Sequence, residues 1–230
     1  MTVLERVRSR GHWVHHVQPA QFIQDRIPTL KKLEDVFGNA HLQLRGWDYP
    51  HLPKRGPERH LDHLQVAAEW RWHIETWRLY QSGQFVHYNG LREDWYSDDP
   101  PPGMQHVEPG KVLGMVMTLF TLTEFYLFAG RLIQNMGVNE DVHVETTLMQ
   151  AGGRNLVSFD PDRVPFDPWH SSPPDLVELP RKQVVSATEL IAHSSELALD
   201  HAIWIFERFN WDAPRGLLAD DQQKLIERRL

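Results

Sequence analysis

The sequence predicts an α+β domain: an antiparallel sheet packed by two long helices, at about 111–136 and about 187–210. Three observations carry this. Strand-like segments come in consecutive pairs joined by short turns, which favours antiparallel pairing. Two longer segments repeat apolar residues at helical spacing and can cover a sheet. The composition, 41% hydrophobic and 24% charged over 230 residues, suits one domain spanning 1–230 with a core that needs no staples.

From the N-terminus, Gly11–Gln18 is aromatic, β-branched and short, and reads as a strand. A helix follows, with Pro28-Thr29 as its start, Leu30, Leu33 and Phe37 on one face, and Gly38-Asn39 as its stop. His41–Arg45 alternates Leu42 and Leu44 with polar neighbours, a second strand. Trp47–Glu58 holds three prolines and reads as a loop. Leu64–Tyr80 reads as one long strand with Trp70, Trp72 and Ile74 on one face and Glu69, Arg71, His73 and Glu75 on the other. After Glu75 the pattern switches to Trp77 and Leu79, which predicts a bulge. Gln81-Ser82-Gly83 turns the chain into a return strand at Gln84–Asn89. Asp98–Gly103 (DDPPPG) is a rigid connector.

Val112–Asn135 is the strongest helix, stopping at Gly137. It is apolar enough to raise a membrane span. Projection places Val112, Met115, Leu119, Leu122, Tyr126 and Ile133 on one side and Thr121, Glu124, Arg131 and Asn135 on another. A lipid-spanning helix has no need of that polar stripe, so a core helix is expected, with Glu124 facing water. Val142–Leu148 and Asn155–Phe159 read as a hairpin around Ala151–Arg154, and Asp160–Pro174 as irregular. Leu176–Val185 reads as an edge strand interrupted by Pro180. Ser186-x-x-Glu189 is a capping box opening the last long helix, and a short polar helix starts near Asp220.

Several function classes drop out. With no cysteine there is no disulfide, thiol catalysis or cysteine-based metal site, which fits a reducing, cytoplasmic compartment. Met1–Arg10 lacks a signal-peptide core. A net charge of −7 argues against direct nucleic-acid binding. No His-Glu-x-x-His occurs, and His60-x-x-His63 with Asp62 reads as surface chemistry, so no metal or cofactor is expected. Gly152-Gly153-Arg154 lacks the Lys-Ser/Thr helix start of a phosphate loop.

Two constellations stand out. Arg45-Gly46-Trp47-Asp48-Tyr49-Pro50-His51 joins a cation, a carboxylate, an imidazole and two aromatics just after a strand. Such a cluster can stack a planar ligand and fix its polar edge. It can equally be a corner in which Trp47 and Tyr49 plug the sheet and Arg45 pairs with Asp48. The second is Glu69, Arg71, His73 and Glu75, followed by Trp77, Arg78 and His87. Carboxylates and histidines on one sheet face can do acid–base work, although salt bridges on a solvated face explain them more cheaply.

The runs Leu44–His51 and Trp77–Val86, with Thr121-Leu122-Thr123-Glu124, resemble a bacterial domain found beside Schlafen-like, AlbA-type DNA-binding modules. The resemblance spans about residues 10–212. It implies an accessory or sensing domain of uncharacterised activity; no separate AlbA-type module is visible, so DNA binding does not carry over.

The expectation is a non-enzymatic module that binds a small molecule or a protein partner, with no membrane and a homodimer as one assembly. Its ligand-binding residues would be Arg45, Trp47, Asp48, Tyr49, His51, Arg71, His73, Glu75, Trp77, Arg78 and His87. The rival is a hydrolase, metal-dependent or not, using His73, Glu75 and His87.

Overall fold

A computed structural model describes residues 1–97, 99–102, 104–160 and 162–229. Of the DDPPPG connector, Asp98 and Gly103 lie outside the described residues.

The fold is α+β. Among the described residues, seven strands form one sheet in which every neighbouring pair is antiparallel. In chain order its strands are β1 (His12–Pro19), β2 (Glu58–Arg59), β3 (His63–Trp70), β4 (His73–Tyr80), β5 (Phe85–Gly90), β7 (Asp141–Met149) and β9 (Glu178–Ser186). The spatial order is β2-β3-β4-β5-β1-β7-β9, so β1 sits between the β3-β4-β5 meander and the β7-β9 pair. Two short strands, β6 (Val112–Gly114) and β8 (Asn155–Val157), pair in parallel apart from it.

The helices are α1 (Val3–Arg8), α2 (Leu30–Ala40), α3 (Met115–Met136), α4 (Ala187–Ala192), α5 (Ser194–Glu207) and α6 (Arg215–Ile226). Thr29 caps α2 by accepting from the Lys32 N–H, and α3 stops where Gly137 takes φ 69°. Ser186 caps α4 through the Glu189 N–H. One sheet face packs on α3: Val17, Trp77, Phe85 and Val144 meet Phe125, Phe128 and Phe37 of α2. A second cluster joins Trp13, Leu119, Leu148 and Phe206 of α5. On the opposite face, Val7 of α1 packs on Ile74 and Trp95. Although α3 is long and apolar enough to cross a membrane, 78% of its most apolar stretch is buried within the protein.

Five readings need correction. Leu64–Tyr80 is two strands, because Arg71 at φ 48° and Trp72 turn the chain into a tight hairpin. No bulge follows: His73, Glu75, Trp77 and Leu79 all point into the core, so the polar groups lie on a buried face. His41–Arg45 contributes only the isolated bridge Leu42↔Tyr49, which closes a loop. β8 pairs with β6 rather than β7, and the residues between carry a buried arginine, Arg154. The last long helix breaks at His193, where the Ser194 hydroxyl donates to the Leu190 carbonyl. Smaller shifts are α2 running to Ala40, α6 starting at Arg215, and α1, which the charged N-terminus did not signal.

Candidate functional site

Register builds the buried polar cluster. Across the sheet, Trp77 pairs with His87, His87 with His15, and His15 with Thr146, all on the face under α3. Glu75 stands one diagonal step away, beside Asn89. Its Oε2 lies 3.1 Å from both His87 Nε2 and His73 Nε2. Its Oε1 accepts the His51 backbone N–H at 2.5 Å. Burial by itself raises a carboxyl pKa. Here the two imidazoles and their hydrogen bonds outweigh it and hold Glu75 far below the usual range. Tyr49 closes the cluster with its hydroxyl 3.4 Å from His87 Nδ1. Phe125 stacks on the His15 ring at 4.4 Å.

The Arg45–His51 loop reaches this cluster from the side, with Tyr49-Pro50 in cis. Arg45 does not pair with Asp48. Its guanidinium donates twice to Glu124 of α3, from Nε at 3.1 Å and from Nη2. Glu124 is fully buried, which overturns its placement in water. Asp48 instead accepts from Gln43 at 2.6 Å and lies 3.3 Å from His41. Trp47 is sandwiched by two guanidinium groups, Arg45 at 5.2 Å and Arg92 at 4.3 Å from its ring.

These groups leave a cavity of about 20 Å³, lined by Arg45, Trp47, Tyr49, His73, Arg92 and Thr118 among others. That is room for one water molecule. Among the described residues the Thr118 hydroxyl is buried there with no hydrogen-bond partner. Beside it, sharing Arg92 and Met117, opens a cleft of about 490 Å³. Trp72, Tyr96, Met104, Val116, Phe120 and Phe159 form its apolar walls. This volume is in the range of small-molecule sites.

Arg92 belongs to a short 3₁₀ turn (Arg92–Trp95) that follows β5. It is half-buried, and desolvation followed by the neighbouring Arg45 charge pushes its pKa down to about 10, so it is cationic at neutral pH. Among the described residues it has no ion-pair or hydrogen-bond partner; its contact is the Trp47 face. The carboxylates nearby are otherwise occupied. Glu124 is held by Arg45, and Glu93 accepts the Gly114 N–H at 2.8 Å while burial raises its pKa.

Of the residues expected to bind a ligand, Arg45, Trp47, Tyr49 and His73 line the small cavity, with Glu75 and His87 behind them. The others are elsewhere. Trp77 is a core side chain stacked on Phe37 at 4.3 Å, with its indole N–H on the His51 carbonyl. Arg71 is exposed at a hairpin tip, and Arg78 lies on the opposite sheet face, bonded to Gln65. The His51 ring rests near Trp70, 5.7 Å between centroids. Among the described residues no group of three or more His, Asp or Glu is placed to hold a metal ion. Sequence reasoning missed Arg92, Tyr96, Phe120 and Phe159. An available signal was the segment Leu91–Tyr96, which crowds charges and aromatics between a strand and a proline run. Comparison of the chain with family models, with curated proteins and with solved structures gives no match.

Proposed function

We propose that this protein is a non-enzymatic binding module, an accessory or sensing domain, and that its ligand seats in the cleft beside Arg92 rather than inside the Arg45–His51 loop. One observation carries the reading: a half-buried guanidinium that makes no ion pair among the described residues, on the wall of an apolar cleft of about 490 Å³. Desolvating a cation without compensation is unfavourable, so such a group invites an anionic partner from outside the chain. The loop supports the site from behind: Trp47 stacks on Arg92 and Arg45 is locked onto Glu124.

A metabolite and nucleotide library screened by thermal unfolding tests this. A ligand at one hundred times its Kd stabilises by about 2.7 kcal/mol, which raises the Tm of a chain this size by roughly 5–10 °C. Arg92→Met and Phe120→Ala are expected to abolish that shift, and Arg92→Met is expected to leave the unliganded Tm little changed because no buried carboxylate loses its partner. A library without a stabilising compound, or a shift indifferent to both substitutions, contradicts the proposal.

A hydrolase using His73, Glu75 and His87 is the second reading, favoured by His73 lining the small cavity with the Glu75 carboxylate 3.1 Å away. Against it stands the room at these groups, which is that of a water. Turnover in a hydrolase screen that His73→Gln removes, with the fold intact, is the result that would reverse the order of the two.

A further inference from the structure

We infer that the occupant of the Arg92 cleft is an amphipathic monocarboxylate: one anionic head paired with Arg92, carried on an apolar body of one or two rings or an equivalent branched chain. This rests on the reading of the cleft as a ligand site and adds the chemistry of the ligand.

The charge balance of the lining selects the head group. Among the described residues, six charged side chains line the cleft: Arg92, Asp160, Arg163, Asp221, Lys224 and Arg229. Five of them are neutralised within the chain. Arg163 donates to Asp160 at 3.0 Å and to Asp221 at 2.5 Å, and Lys224 lies 3.4 Å from Asp221. Arg229 pairs with Glu227. Arg92 makes no ion pair or hydrogen bond among the described residues; Glu124 and Glu93 act on it only through space, which leaves its N–H groups open to one negative group on the ligand.

Geometry selects a carboxylate over a larger anion. The Arg92 Cζ lies 4.3 Å from the Trp47 ring centroid, and none of its N–H groups is committed to a hydrogen bond among the described residues. A planar fork of this kind matches a carboxylate with two parallel hydrogen bonds. A phosphate dianion would need a second free cation, whereas Arg45 is held by Glu124 and the lining's Arg163, Lys224 and Arg229 by Asp160, Asp221 and Glu227. The start of α3 has no side-chain cap, and its positive dipole end at Val116 and Met117 adds to the potential at the same wall.

The walls select the body. Phe120, Phe159, Tyr96 and Trp72 give flat apolar area, and Met104 and Met117 adapt to shape.

Calorimetry with three probes tests the inference: naphthylacetate, its neutral analogue naphthylacetamide, and acetate, which has the head without the body. The wild-type protein is expected to bind naphthylacetate roughly 10- to 100-fold more tightly than the amide, the worth of one charge-assisted pair, and acetate far more weakly than either. Arg92→Met is expected to bring acid and amide to similar affinity, Arg92→Lys to keep part of the preference, and Phe120→Ala to weaken both probes together. Equal binding of acid and amide by the wild type overturns the carboxylate assignment while leaving the cleft a binding site. Binding of neither at millimolar concentration overturns both. Circular dichroism and Tm of the Arg92 variants, expected to match the wild type, show that lost discrimination is not lost folding.

Discussion

Arg154→Met is expected to lower stability by about 3–5 kcal/mol, because it strands a buried carboxylate. Arg154 is fully buried and clamps Asp94 through both terminal nitrogens, at 2.8 and 2.6 Å. Its remaining donors reach the Gln150 carbonyl at 2.7 Å and the Val112 carbonyl at 2.9 Å. Asp94 in turn accepts the N–H groups of Gly11 at 2.8 Å and Gly110 at 3.0 Å. One ion pair thus ties the start of β1, the 3₁₀ turn that bears Arg92, the approach to β6 and the β7–β8 connection. Each isolated charge would be costly to bury; together, with every oxygen occupied, they are compensated. Urea unfolding checks the value. Arg154→Met combined with Asp94→Asn is expected to lose clearly less than the sum of the single losses, since the pair acts as a unit. Gly11→Ala is expected to fall in the same direction, because a Cβ there would stand 2.1 Å from Arg154 Nη2. A loss below about 1 kcal/mol for Arg154→Met would contradict this account of the junction.

Stability is also expected to fall steeply as the solution is acidified, by about 4 kcal/mol between about pH 7.5 and about pH 5. His15 and His201 are the main cause, and burial lowers His12 and His16 in the same direction. Burial drives both pKa values well below 6.5. For His15 the nearby His87 and His201 act in the same direction and Glu75 opposes; for His201 the positive charge of Arg181 adds. His15 has Thr146 on Nδ1 at 3.2 Å and, among the described residues, no partner on Nε2. His201 has the Tyr126 hydroxyl on Nδ1 at 3.2 Å and likewise, among the described residues, no partner on Nε2. The unfolded chain therefore takes up these protons first. The stabilisation is complete above the unfolded pKa of 6.5 and drains away as pH drops below it. Each histidine contributes about 2 kcal/mol by about pH 5. Glu75, also depressed, adds its loss only below the ordinary glutamate range, so it does not blur this window. Urea midpoints across the range are the measurement, and His201→Phe is expected to remove about half of the slope. A flat profile would contradict the buried, neutral state of both rings.

The elements that sequence reveals are those set by local chemistry. Thr29 caps α2, Gly137 supplies the left-handed residue that ends α3, and Ser186 opens α4. Each is decided within four residues of itself. The β3–β4 hairpin is invisible to such rules, because Trp70-Arg71-Trp72-His73 contains no glycine, asparagine or proline and the left-handed position is filled by arginine. The polar face failed for a related reason. Hydrophobic patterning assumes that Glu75, His73 and His87 seek water, whereas here they satisfy one another under α3. Glu124 is the same lesson across a longer span, since its partner Arg45 lies 79 residues earlier. The loop Arg45–His51 stands out in the sequence, yet its hollow is filled by the Arg45–Glu124 ion pair and by aromatic stacking. The open space lies one residue-width further on, at Arg92, where the walls come from five separate stretches of chain that no spacing rule connects.

The central claim is that Arg92 waits for an anion, and NMR of the arginine side-chain Nε–H groups tests it most directly. On titration with naphthylacetate, the Arg92 resonance is expected to shift saturably, while those of Arg45 and Arg154, already bound to Glu124 and Asp94, move little. An unmoved Arg92 signal, or shifts spread over the exposed arginines alone, would contradict it.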